Sequence, residues 1–296
     1  MTMRITSEMM TDTVLQNLAS TLRGLDKAQA ELSSGKRIAH PSDDPRGVGE
    51  ALSLRSALAT GETYLKTIDS SLSWLNTTDA TLDSATQLMQ RARELAVQGS
   101  NDSIAGGQMA GMAAEVDQLL NQMVTLGNAS SGGQRLFAGL KTAANPFTLN
   151  PGPPTTVTYN GDSGQMMREI DIGSTMAINT PGDTTFLPMM NALIKLRDDL
   201  RAGNTTAVGT DIGVLDTGLD GLMTVRADVG GRVNRLESAQ DRQRQVQGRL
   251  TEQLSNVEDT DFAEAITRYS TQENVYKAAL AAGSRAIQPS LFDYLR

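Results

Sequence analysis

The only histidine in the chain is His40, between Ala39 and Pro41, so any Ser-His-Asp arrangement would depend on it. It lies in a turn-rich stretch with no visible scaffold, and a solvated loop residue explains it better than a catalytic base. The chain has no cysteine, which removes disulfides, thiol nucleophiles and thiolate metal sites. One histidine without cysteine cannot supply the several N or S ligands that zinc needs. Asp43-Asp44 and Glu258-Asp259-Asp261 could ligate calcium, but neither has the spacing or central glycine of a binding loop. Both precede helices, where acids cap free amides. The pairs Gly106-Gly107, Gly132-Gly133 and Gly230-Gly231 are not followed by the Lys-Ser/Thr of a phosphate loop, so turns and helix ends explain them. No catalytic, metal or cofactor residue is assigned, and the chain is expected not to be an enzyme.

Bulk properties agree with that expectation. With 296 residues the chain can bury a sizeable core, and its formal net charge of -8 repels phosphate backbones. Nucleic acid is therefore not an expected partner. Aromatics at 4% suit helix packing better than a stacking platform. No apolar run is long enough to insert in a membrane, and the start lacks the apolar core of a Sec-type signal.

The elements that would position any site are helices. From Leu15 the apolar residues Leu18, Leu22, Leu25 and Leu32 follow the three-four spacing of a coiled-coil seam, with Gln29 in the stripe. Ser34-Gly35 ends that helix and Ser42-Asp43-Asp44-Pro45 starts the next, leaving a hinge between them. Gly47 to Gln98 is helical in pattern on Leu65, Ile68, Leu72, Leu75, Leu82 and Met89, a rod of roughly 75 Å. Met109 to Leu126 forms a second arm, antiparallel to the first. Between Gly132 and Pro188 glycine, proline, threonine and asparagine cluster, and Thr156–Tyr159 and Met167–Ile172 alternate like strands. Helix returns at Met189–Arg201, then runs from Gly203-Asn204 to about Val257, with Gln240, Gln243 and Gln247 in the stripe as register-fixing polar positions. A last helix, Phe262 to Ile287, carries Ile266, Tyr269, Tyr276 and Leu280 before Pro289 stops it.

The fold class expected is mainly α: a long antiparallel helical bundle or coiled coil with a small β-rich insertion and paired terminal helices. The expected division is a core helix at 1–40, a helical rod at 41–140 and 189–257, a β-rich outer domain at 141–188 and a second core helix at 258–296. Two terminal amphipathic helices beyond the hinges can pair with each other and still offer surface to further copies of the chain. Leu15, Leu18, Leu22, Leu25, Leu32, Ile266, Tyr269, Tyr276, Leu280 and Ile287 are the expected assembly stripes.

Particular stretches resemble a known family. Leu32-Ser33-Ser34-Gly35-Lys36-Arg37-Ile38 with Pro41-Ser42-Asp43-Asp44-Pro45 is similar to the N-terminal signature shared by bacterial flagellins and hook-associated proteins. Glu258-Asp259-Thr260-Asp261-Phe262-Ala263-Glu264-Ala265 and Ser290-Leu291-Phe292-Asp293-Tyr294-Leu295-Arg296 resemble its C-terminal counterpart. Leu136-Phe137-Ala138-Gly139, Asn145-Pro146-Phe147, Tyr159-Asn160-Gly161-Asp162-Ser163, Arg168-Glu169-Ile170-Asp171-Ile172 and Asn179-Thr180-Pro181-Gly182-Asp183 resemble the small outer domain of the branch that joins hook to filament. The resemblance implies a flagellin-like fold and export through the flagellar type III apparatus without a cleaved signal. It also implies an extracellular place in the flagellum. The implied partners are copies of the chain, the hook-side junction protein (hook-associated protein type 1), flagellin, and a cytosolic export chaperone holding the C-terminal helix.

The expected function is a structural adaptor at the junction between hook and filament, transmitting torque through helix packing. Two other readings make different demands: a flagellin-type filament subunit would polymerise alone, and a β insertion acting as an adhesive module would be dispensable for assembly. A hydrolase would need His40.

Overall fold

The structure, a computed structural model, describes residues 7–101, 106–152 and 155–287. Its helices are α1 (Ser7–Ser34), α2 (Pro45–Gly99), α3 (Gly106–Gly127), α4 (Gly182–Thr185), α5 (Leu187–Arg201), α6 (Thr205–Glu258) and α7 (Phe262–Ile287). Between α3 and α4 lie the strands β1 (Ser130–Ser131), β2 (Gln134–Arg135), β3 (Phe147–Asn150), β4 (Thr156–Tyr159), β5 (Met167–Asp171) and β6 (Ser174–Ala177). The chain divides into two compact units, residues 61–245 and residues 1–60 with 246–296.

The unit of residues 61–245 is built on a seven-residue repeat. On α2, Ile68, Leu75, Leu82, Met89 and Ala96 are fully buried, and on α6 so are Val208, Leu215, Val229 and Leu236, with Leu222 nearly so. A strict heptad keeps one seam facing its partner and calls for left-handed supercoiling. Between the large α2 residues fall Ser71, Thr78, Ala85 and Ala92, all small and buried. The Ser71 hydroxyl donates to the Thr67 carbonyl at 2.7 Å and Thr78 to Trp74 at 2.9 Å, which satisfies them inside the core. Ion pairs fix the antiparallel register: Arg93 meets Asp216 at 2.5 Å, and Arg226 meets Asp79 at 3.1 Å and Asp83 at 2.8 Å. Farther along, the Gln240 amide donates to Asp69. Gln240 thus does what its stripe position suggested, while Gln243 is buried in the core and Gln247 is half-buried in the other unit.

α3 and α5 add a second layer. Met109, Met112, Val116, Leu120 and Met123 pack with Met189, Met190, Leu193, Leu196 and Leu200. Arg197 is only 3% exposed and is neutralised by Asp117 at 3.0 Å and Asp198 at 2.7 Å.

The β-rich segment is three antiparallel hairpins, not one sheet. β4 covers the predicted Thr156–Tyr159 and pairs with β3 in register Phe147↔Tyr159, while β5 ends one residue before the predicted Ile172. Phe137, Phe147, Phe186 and Tyr159 cluster with neighbouring ring centroids 4.5 to 6.1 Å apart. Two of the motifs quoted above meet there. Gly139 has φ +68° and passes so close to Asp162 that an added Cβ would sit 2.0 Å from its carbonyl oxygen, a contact only glycine allows. The Asp162 carboxylate accepts from the Leu140 and Gly164 amides at 2.8 Å each, and these two bonds, the largest influences on it, hold it below the usual carboxylate range.

Candidate assembly surface

In the other unit α1 and α7 pack as an antiparallel pair. Along α1 the seam positions Thr11, Val14, Leu18, Thr21, Leu25, Ala28 and Leu32, continued by Gly35 just past its end, are turned away from solvent at spacings of alternately three and four, with Gly24 and Glu31 covered beside them. On α7 the seam positions Ala265, Tyr269, Gln272, Tyr276, Ala279 and Gly283 keep the same alternation, with Glu273 half-buried beside them. The register is visible at four points. Phe262 stands beside Gly35, Arg268 pairs with Glu31 at 3.0 Å, Gln272 lies against Gly24, and Val14 packs on Gly283, where an added Cβ would lie 2.9 Å from Val14 Cγ1. Ala28 and Ala265, both buried, and Gly283 let the helices approach closely at the seam.

That register separates the expected stripe residues into two sets. Leu18, Leu25, Leu32, Tyr269 and Tyr276 are half-buried in the seam inside one chain. Leu15 at 52% exposure, Leu22 at 40%, Ile266 at 57% and Leu280 at 44% are not. Each of these four falls one position beyond a seam residue, and in an antiparallel pair such positions from both helices lie on the same flank. Leu280 then falls between Leu15 and Leu22, and the Glu31–Arg268 pair occupies the opposite flank. The side chain of Ile287 lies outside the described residues. The spacing of the leucines alone could not make this separation, because seam and flank residues both recur at seven.

The connections beyond the pair are clamped. Gly35 ends α1 with φ +67°, the left-handed cap expected there. Lys36 bridges to Asp259, the Arg37 amide donates to the Glu258 carbonyl at 2.7 Å, and the Thr260 amide donates to the Gly35 carbonyl at 3.0 Å. The Glu258 side chain, buried to 7% exposure, takes Arg55 at 2.7 Å and Lys36 at 3.1 Å. Burial pushes its carboxyl up, but the two cations outweigh burial and leave it below the usual range. Glu258 is thus a clamp residue and not the cap expected from its position. Capping falls to its neighbour Asp261, which accepts from the Ala263 amide at 2.8 Å, and at α2 to Asp44, which accepts from Gly47 at 3.0 Å. The sequence signal missed was long-range: Lys36, Arg55 and Glu258 are each unremarkable alone. The exposed His40 bonds through its backbone, its amide donating to the Asp43 carboxylate at 2.9 Å and its carbonyl accepting from the Asp43 amide at 2.9 Å.

Comparisons with known proteins match these features. The bacterial flagellin N-terminal helical region matches residues 5–142 and the bacterial flagellin C-terminal helical region matches residues 212–295. The chain is similar to flagellar hook-associated protein 3 of Escherichia coli K12, 27% identical over 92% of this chain and 95% of that one. The protein of that name from Salmonella typhimurium is 24% identical over 99% of this chain and 100% of its own length. The solved structure of flagellar hook-associated protein 3 from Legionella pneumophila shares the fold, with TM-score 0.64 at 16% identity over 69% of this chain and 98% of that one. Both terminal helices, the clamp between them and the residues flanking it fall inside the matched regions, and the chain belongs to the bacterial flagellin family.

Proposed function

We propose that the chain is a structural, non-enzymatic subunit of the bacterial flagellum, the adaptor that joins the hook to the filament. The observation that carries it is the apolar flank of the terminal pair: Leu15, Leu22, Ile266 and Leu280 stay uncovered although α1 and α7 already pair with each other. Such a surface is a place for neighbouring copies, because burying each large side chain is worth about 1.5–3 kcal/mol. Full-length similarity to hook-associated protein 3 of two bacteria supports the junction over the filament proper. Hook-associated protein type 1 on one side and flagellin on the other are the proposed neighbours. Before export a cytosolic chaperone covers the α7 flank that exposes Ile266 and Leu280.

Immunogold labelling of detached flagella tests this reading. Label confined to the hook-filament boundary is the expected result. Label along the filament would make the chain a filament subunit.

A further inference from the structure

The pair Gly230-Gly231 falls not in the turn or helix end that its type suggests but in the middle of α6. Both residues are exposed, neither has a positive φ, and an added Cβ on either would meet nothing within 4 Å. Neither close packing nor backbone conformation calls for glycine here, although each glycine makes a helix about fivefold easier to open than alanine would. Contacts of α6 with α2 bracket the pair: Arg226 holds Asp79 on one side and Gln240 holds Asp69 on the other. The matching stretch of α2, residues 69–79, is softened as well. The Ser70 and Ser71 hydroxyls both donate to the Thr67 carbonyl, at 2.9 and 2.7 Å, Thr77 donates to Ser73 at 2.8 Å and Thr78 to Trp74 at 2.9 Å. Hydroxyls that bond back to their own helix in this way loosen it and favour bending. Glycine pairs are a recognised place for kinks.

We propose that the rod carries a bending joint at this level, where α2 and α6 flex together while the buried seam residues Leu75, Val229 and Leu236 keep them in contact. Arg232, next in sequence to the pair, donates to the Ala177 and Asn179 carbonyls at 3.1 and 3.0 Å, so the end of β6 is tied to the joint and moves with it. An adaptor between two unlike partners has to fit itself to both, and a joint inside the rod lets it do so. That use rests on the adaptor reading, whereas the joint is a property of the single chain.

The chain has no cysteine, so spin labels can be placed at Asp220→Cys and Asp241→Cys. Both sites are exposed and lie on either side of the pair, about 32 Å apart along the helix. Pulsed dipolar spectroscopy of the full-length chain should give a broad distance distribution that narrows when Gly230→Ala and Gly231→Ala are combined. Hydrogen exchange at the amides of residues 231–235 should slow about 25-fold in the same variant, the product of two fivefold effects. Gly213→Ala, at a glycine of α6 outside the labelled span with equal room for a Cβ, should leave the distribution unchanged. Equal widths with and without the paired alanines, or equal narrowing by Gly213→Ala, would overturn the joint. Labelled flagella showing the chain along the filament would overturn the adaptor reading and leave the joint standing.

Discussion

Replacing Glu258 with alanine should open the connection between the terminal pair and α2 without unfolding the helices on either side. The carboxylate is buried and bonded to Arg55 and Lys36, at 2.7 and 3.1 Å, but those partners are 52% and 43% exposed and can turn to water. A charge-assisted bond is worth roughly 1.5–3 kcal/mol, and two bonds to half-exposed cations, discounted for screening, come to about 2 kcal/mol together. The backbone bonds Arg37 to Glu258 and Thr260 to Gly35 survive the substitution and report on it. Native-state hydrogen exchange should show their amides opening about 30-fold faster, since each 1.36 kcal/mol is a factor of ten. The wild-type clamp also has a pH signature. The folded Glu258 pKa lies below the ordinary value, so its stabilisation is fully present above about pH 4.3 and is lost as pH falls through the lower folded value. Glu258→Gln should remove that acid dependence. Exchange at Arg37 and Thr260 changing less than threefold in the alanine variant, or an equal loss of protection on α3 and α5, would show that Glu258 does not hold this connection.

Three further outcomes follow from the packing. Gly139→Ala combines a left-handed backbone with a Cβ 2.0 Å from the Asp162 carbonyl; the backbone alone costs about 1–2 kcal/mol, so thermal unfolding should show a loss of at least that size. Asp211 is 1% exposed and one carboxylate oxygen has no partner. Burial raises its pKa, against Lys195, which lowers it, and with Asp199, which raises it further. A carboxyl favouring its neutral form in the fold weakens stability as pH rises through that value, so Asp211→Asn should leave stability at neutral pH unchanged or higher and flatten this dependence in a denaturant titration. His40→Ala should leave folding and hook-filament attachment unchanged, because only the backbone of His40 makes a bond; lost attachment in a complementation assay would contradict this.

The helices were legible because their information is local. Gly35 and Pro45 mark real boundaries, and the buried Ile68–Leu75–Leu82 repeat follows the spacing in the sequence. Strands Thr156–Tyr159 and Met167–Asp171 were readable from alternation. What could not be read depended on partners distant in the chain. Leu18 and Leu22 look equivalent as residues of one stripe, and only the register against Tyr276 and Gly283 places the first in the seam and the second on the flank. Glu258 resembled a cap because its partners Lys36 and Arg55 lie 222 and 203 residues away. The β segment forms separate hairpins around Phe137, Phe147 and Phe186, which alternation within a strand cannot specify.

Leu22→Asp combined with Leu280→Asp tests whether the flank of the terminal pair is where neighbouring subunits dock. Both sites are more than a third exposed in the single chain, so the purified double variant should keep the helicity and melting of the wild type. A buried unpaired charge costs several kcal/mol, so the variant should be missing from hook-filament junctions when labelled flagella are imaged. Well-folded variant present at the junction in wild-type amounts would contradict the role assigned to that flank.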